Sequence, residues 1–263
     1  MHMTKKEPNW CTNRLTVIQK DPEGASLGSF VDDITLPKND EAEYDLTLPY
    51  PTPEVLVGTR SPKMDREKVE EMRADRDAGK MKAGDKYVGE IHEPTGSWVT
   101  DKYLQECLDS IDQNEKAEKE TGFISWYDWN IAHWSTKWSP DVHSVLVDVG
   151  ETAVATISYQ TAWSPAENLI KQLSELYPEL IFVETFLEEG MGFWGANTYV
   201  AGECRHEYCG GSDAQLDELH DRYSNSDLED GEDEAWVLIS ERWQELMNRA
   251  EQDAIAIGQI VTA

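Results

Sequence analysis

Apolar positions along the chain switch between two periods, and the switches outline its elements. In Asn13–Gln19, Leu15 and Val17 alternate with polar neighbours, which predicts a strand. Pro37, Pro49, Pro51, Pro53 and Pro62 then fall within Thr35–Pro62, predicting extended connections and excluding a long helix. Asp65–Lys82 carries Val69 and Met72 as its few apolar positions amid dense charge, so a solvated helix is expected there. Asp101–Glu120 has a short helical stripe of Leu104, Cys107, Leu108 and Ile111, closed by Gly122.

Regularity returns at Phe123. Phe123–Trp138 holds four Trp, and Trp126, Trp129 and Ile131 or His133 recur at helical spacing. Val145, Val147 and Val149 alternate through Ser144–Val149, and a Gly150-Glu151 turn leads into Ala153–Tyr159, a hairpin pattern. Trp163-Ser-Pro-Ala-Glu167 reads as a helix start, with Ser164 as N-cap, Pro165 at the first helical position and Glu167 completing a capping box. Leu169, Ile170, Leu173, Leu176 and Tyr177 form the buried stripe, and Pro178 ends it. Leu180–Leu187 and Gly192–Val200 read as strands around Glu189-Gly190. Trp236, Ile239, Trp243, Met247, Ala250, Ala254 and Ile257 recur at three and four through Glu234–Gly258, an amphipathic helix with Gly258 as its cap. This helix is expected on the open face or edge of a sheet.

The order contains the split β-α-β-β-α-β unit. The expected fold is α+β, with a ferredoxin-like core in residues 1–19 and 123–202 and a long insertion at 20–122 after the first strand. An acidic segment and the C-terminal amphipathic helix, 203–263, follow and pack on that core.

Charge bears on partners more than on fold. The chain has 52 Asp and Glu against 23 Lys and Arg, a net charge of −29. Such a field repels nucleic acid, anionic lipid and nucleotide phosphates and attracts basic surfaces. Salt adaptation usually sheds lysine, whereas here 14 Lys outnumber 9 Arg. Ten Trp and a hydrophobic fraction of 39% lie above a disordered composition, so the charge rides on a folded chain. Ser212–Glu234 holds ten acids and one Arg. Asp213, Asp217, Glu218, Asp221, Asp227, Glu229, Asp230, Glu232 and Asp233 read there either as a solvated linker or as a phosphate-like array offered to a basic groove. No leader and no apolar run near 18 residues occurs, so the expected location is the bacterial host cytoplasm, away from membranes and with reduced thiols. Met1-His2-Met3 reads as a cloning scar.

Catalytic signals are sparse. His133 and Lys137 are four apart and would share a helix face, with Asp128 off that face. This set reads as a general base beside a cation, or as the edge of an aromatic core with Lys137 lying over indole. Cys204, His206, Cys209 and His220 are four N/S ligands for zinc, though Cys-x4-Cys with an internal His is not a common knuckle, and structural or exposed thiols are the alternative. Asp32-Asp33, Glu188-Glu189 and Asp227–Asp230 match no calcium loop. Phosphate loops, dinucleotide fingerprints and nucleophile elbows are absent, so no cofactor is expected.

Pro8-Asn-Trp-Cys11-Thr-Asn13, Trp126–Trp138, Thr161-Ala-Trp163-Ser-Pro165 and Glu189-Gly-Met-Gly-Phe193-Trp-Gly195 together resemble the YubB-type ferredoxin-like family of phage and conjugative-plasmid proteins. The resemblance covers Pro8–Gln19 and about Phe123–Gly202. It implies a ferredoxin-like core and a mobile-element origin, with no reaction and no catalytic residues. The expected function is a phage or plasmid accessory protein that binds and inhibits a basic, nucleic-acid-handling host protein as a DNA mimic against host defence. The alternatives are a metal-assisted nucleotide- or nucleic-acid-processing enzyme using His133, and a virion structural component.

Overall fold

The computed structural model describes residues 9–21, 23–37, 43–80, 99–150, 152–188, 192–210, 218 and 232–262. The chain divides into two compact units, one of Met1–Pro51 with Ile131–Ala263 and one of Thr52–Asn130.

The first unit is built on a six-stranded sheet, β1 (Trp10–Gln19), β2 (Asp141–Val149), β3 (Ala153–Ala162), β4 (Leu180–Glu188), β5 (Phe193–Val200) and β6 (Glu203–Gly210). The order is β2-β3-β1-β4-β5-β6, and every neighbouring pair is antiparallel. Its first four strands run 4-1-3-2, the arrangement of the split unit. The core is thus α+β and ferredoxin-like, prolonged on one side by β5 and β6.

Register sorts the strands' residues between two faces. Leu15 stands opposite Ile157 and Glu184, and Val17 opposite Ala155 and Phe182. On this face sit α1 (Ser26–Asp33) and α5 (Glu167–Leu176). Leu27 and Phe30 are the buried residues of α1, and Phe30 meets Phe182 edge-on with ring centres 5.4 Å apart. The opposite face carries Ile181, Val183, Trp194 and Ala196, covered by Trp243, Leu246, Met247 and Ala250 of α6 (Glu232–Thr262). Arg14 of β1 reaches Glu251 of α6 at 2.8 Å, and Thr198 of β5 donates to the Ala254 carbonyl at 3.1 Å. The C-terminal helix therefore packs on the open sheet face as expected. It runs past Gly258 to Thr262, so that glycine does not cap it.

Two elements depart from the sequence pattern. α1 has only Leu27 and Phe30 to anchor eight residues, too few to register as a periodic stripe. β6 (ECRHEYCG) lacks apolar alternation because an edge strand needs only one neighbour's ladder; it joins β5 across a register shift at Thr198/Tyr199. Gly202, between them, sits at φ +78°, and a Cβ there would lie 3.1 Å from the Glu175 Cβ. Gly202→Ala is expected to destabilise this unit by about 1–3 kcal/mol through backbone strain plus that close approach, read as a lower urea midpoint.

The second unit holds α2 (Arg66–Asp77) and α3 (Asp101–Thr121). Val69 and Met72 of α2 bury against Val99, Leu104, Cys107 and Ile111, which answers to the sparse stripes read from sequence. α3 starts on Thr100, whose hydroxyl accepts the Tyr103 N–H at 3.1 Å, and stops at Gly122 in the left-handed region at φ +80°. Asn114 is buried mid-helix and ties two loops by donating to the Arg60 and Ile124 carbonyls at 2.9 and 2.7 Å. The final helix before β2, α4 (Trp126–Trp134), begins in this unit and ends in the first.

Candidate interaction site

At one end of the sheet three indoles are displayed side by side. Trp10 opens β1 opposite Ala162, Trp163 follows the last residue of β3, and Trp138 lies between α4 and β2. The Trp138 ring centre is 6.4 Å from that of Trp10 and 5.7 Å from that of Trp163, and the three residues are 39%, 39% and 46% exposed. Lys137 Nζ lies 4.5 Å from the Trp138 ring centre and 5.4 Å from that of Trp163. A cation over indole is worth about 0.5–1 kcal/mol at an exposed site. Of the other described Trp residues, Trp129, Trp134, Trp194 and Trp243 are buried.

The backbone that presents these rings is strained and heavily tied. Trp163 has φ +66° and Ser135 φ +62°, a region that bulky L-residues enter only when their surroundings impose it. The Trp163 N–H donates to the Asn9 carbonyl at 2.9 Å. A relay of side chains runs inward from there. Asn13 Nδ2 donates to Thr161 Oγ1 at 2.9 Å, Thr161 donates to the Ser164 carbonyl at 2.6 Å, and Ser164 Oγ donates to the Ser135 carbonyl at 2.6 Å. Ser135 Oγ accepts the Asn168 N–H at 3.2 Å, and Thr136 Oγ1 donates to the Ala162 carbonyl at 3.3 Å. The segments bearing Trp138 and Trp163 are thereby fastened to each other.

This relay corrects the helix start read from Trp163–Glu167. α5 begins at Glu167, Ala166 is its N-cap and no capping side chain of its own sequence is used. Ser164 is drawn away to Ser135, and the Ala166 N–H is taken instead by Glu184 Oε1 at 3.2 Å. Glu184 belongs to β4, is fully buried, and also accepts from the Tyr159 hydroxyl at 2.6 Å. Burial pushes its carboxyl up to about 8, and burial likewise raises the Cys11 thiol and the Tyr159 and Tyr199 phenols.

The proposed chemistry-bearing residues are spread over several elements. Helix α4 ends at Trp134, so Lys137 lies beyond it and does not share a helical face with His133. His133 stands beside Tyr50, with ring centres 6.1 Å apart, and Lys137 lies over indole. Asp128 accepts from Ser125 Oγ at 2.6 Å at the start of α4, a local cap. Cys204, His206 and Cys209 lie on β6, where His206 pairs with Thr198 and Cys209 with Gly195. His220 lies outside the described residues, and among those described no three His, Cys, Asp or Glu side chains could hold a metal ion. Asp213, Asp217, Asp221, Asp227, Glu229 and Asp230 also lie outside them; Glu218 is exposed, and Glu232 and Asp233 open α6. Among the described residues no helix is long and apolar enough to cross a membrane.

The display of Trp10, Trp138 and Trp163 was not legible beforehand, because a tryptophan in a motif reads equally as core or surface. Glu184 left a signal, a carboxylate directly after the apolar run Leu180–Val183.

Comparison with curated proteins gives no match. The crystal structure of a protein api92 from Yersinia pseudotuberculosis is 12% identical, with 78% of this chain and 99% of that one covered and a TM-score of 0.38. Residues 110–233 match the family model of a ferredoxin-like domain in Api92-like protein, the family to which this part of the chain is similar.

Proposed function

We propose that the protein is an accessory factor of phage or conjugative-plasmid origin that binds and inhibits a basic, nucleic-acid-handling host protein in the bacterial cytoplasm. Its acidic surface supplies long-range steering and competition with DNA, and the three indoles supply the anchor. The observation that carries this reading is the Trp10–Trp138–Trp163 patch, strained and tied so that the rings stay displayed, on a chain of net charge −29. Exposed tryptophans held in place are the residue type that dominates binding energy at protein interfaces, and they lose little side-chain entropy on contact. A mobile-element origin rests on the motif resemblance to phage and plasmid proteins.

Replacing Asp213, Asp217, Asp221 and Asp227 together with lysine tests the electrostatic half. Capture of the partner is expected to weaken at low salt and to lose most of its salt dependence, since each reversal removes an attractive charge and adds a repulsive one. Unchanged capture removes the mimicry reading.

A further inference from the structure

Two buried acceptors beneath α5 have no donor among the described residues. Glu184 Oε2 and Asn197 Oδ1 receive no hydrogen bond from them, although both residues are more than nine-tenths buried. They sit on directly opposed residues of β4 and β5, whose side chains share one face. Their remaining polar atoms are committed. Glu184 Oε1 accepts from Tyr159 and Ala166, and Asn197 Nδ2 donates to Glu167 Oε1 and to the Tyr199 hydroxyl, both at 3.1 Å. Turning the amide over would set Oδ1 against the Glu167 carboxylate oxygen and forfeit that bond, so Oδ1 is kept on the side away from Glu167. Bare buried acceptors are unfavourable, and a single proton between these two satisfies both.

We propose that Glu184 is held as the neutral acid and donates its Oε2–H to Asn197 Oδ1, closing a carboxyl–amide bridge between β4 and β5. The same carboxyl takes the Ala166 N–H, so the bridge also fixes the start of α5 and the turn that carries Trp163. The titratable groups around it are Cys11 on β1, Tyr159 on β3, Glu188 on β4, Tyr199 on β5 and Glu167 on α5. Glu184 has no hydrogen bond or ion pair to a lysine or arginine among the described residues. A bound Mg²⁺ or Ca²⁺ would want about six oxygens, more than this pair and Glu167 supply.

The direction of the pH effect follows from the raised carboxyl. Below the ordinary value of 4.5 Glu184 is neutral whether the chain is folded or not. Between there and about 8 the unfolded chain gives up the proton while the folded one keeps it. The folding constant therefore falls about tenfold per pH unit across that window and levels off above it.

Urea unfolding of the parent and Glu184→Gln from pH 5.5 to 9.5 tests the bridge. Glutamine can still accept from Tyr159 and Ala166 and donate to Asn197, but it has no proton to lose. The ratio of parent to variant folding constants is expected to fall about tenfold per unit up to about pH 8 and then flatten. A ratio independent of pH overturns the proposal. Infrared spectroscopy of the parent gives a readout that does not depend on the variant folding. A protonated-carboxyl stretch is expected at pH 7 that fades through pH 8, and its absence at pH 7 overturns the proposal.

Discussion

Trp243→Ala is expected to lower the stability of the sheet-containing unit by about 3–5 kcal/mol, the cost of emptying a buried tryptophan site. Trp243 is 4% exposed and lies with its ring centre 6.4 Å from that of Trp194 on β5. It belongs to the layer of α6 that covers Ile181, Val183 and Ala196. Truncation leaves a cavity between a helix and a sheet, two elements that cannot collapse far towards each other without breaking the contacts of Leu246, Met247 and Ala250. Urea unfolding followed by far-ultraviolet circular dichroism reads the effect as a lower midpoint. A change below about 1 kcal/mol would mean that α6 is dispensable to the sheet, and the three-layer account of this unit would fail.

Trp163→Gly is expected to separate display from support. The residue stands at φ +66°, where glycine is unstrained, and its ring is 46% exposed. Relief of backbone strain offsets the lost partial burial, so stability should stay within about 1 kcal/mol of the parent. Partner affinity should fall by about 2 kcal/mol or more, roughly thirtyfold in Kd, as for a central interface tryptophan. Binding measured by isothermal titration once the partner is in hand gives the number. A variant that melts early and binds normally would assign the ring to the scaffold instead.

Elements whose burial follows one simple period were legible from sequence. The stripe Leu169, Ile170, Leu173 in α5 and the three-four spacing of Trp243, Met247, Ala250 and Ala254 in α6 answer to one-sided burial, and Leu15 and Val17 mark the face of β1 turned towards α1 and α5. What escaped depends on contacts distant in sequence. The apparent capping box at Ser164 fails because Ser135, 29 positions earlier, offers its carbonyl, and because Glu184, 18 positions after Ala166, takes the Ala166 N–H. The polar pair Glu184 and Asn197 lies in strands that otherwise read as apolar, and only their register as opposed residues shows that they answer each other. Helix α4 breaks at Trp134 where Ser135 turns left-handed, which local periodicity through Trp138 does not signal.

In the proposed function, an acidic field and a displayed tryptophan patch together capture a basic nucleic-acid-binding protein. The most direct measurement is a tagged pull-down from nuclease-treated bacterial lysate at low and high salt, read by mass spectrometry, with Trp163→Gly alongside. The expected result is a basic nucleic-acid-binding protein recovered at low salt, displaced by added DNA, and lost with Trp163→Gly. A clean lane at both salts, or capture indifferent to DNA and to the substitution, would contradict it.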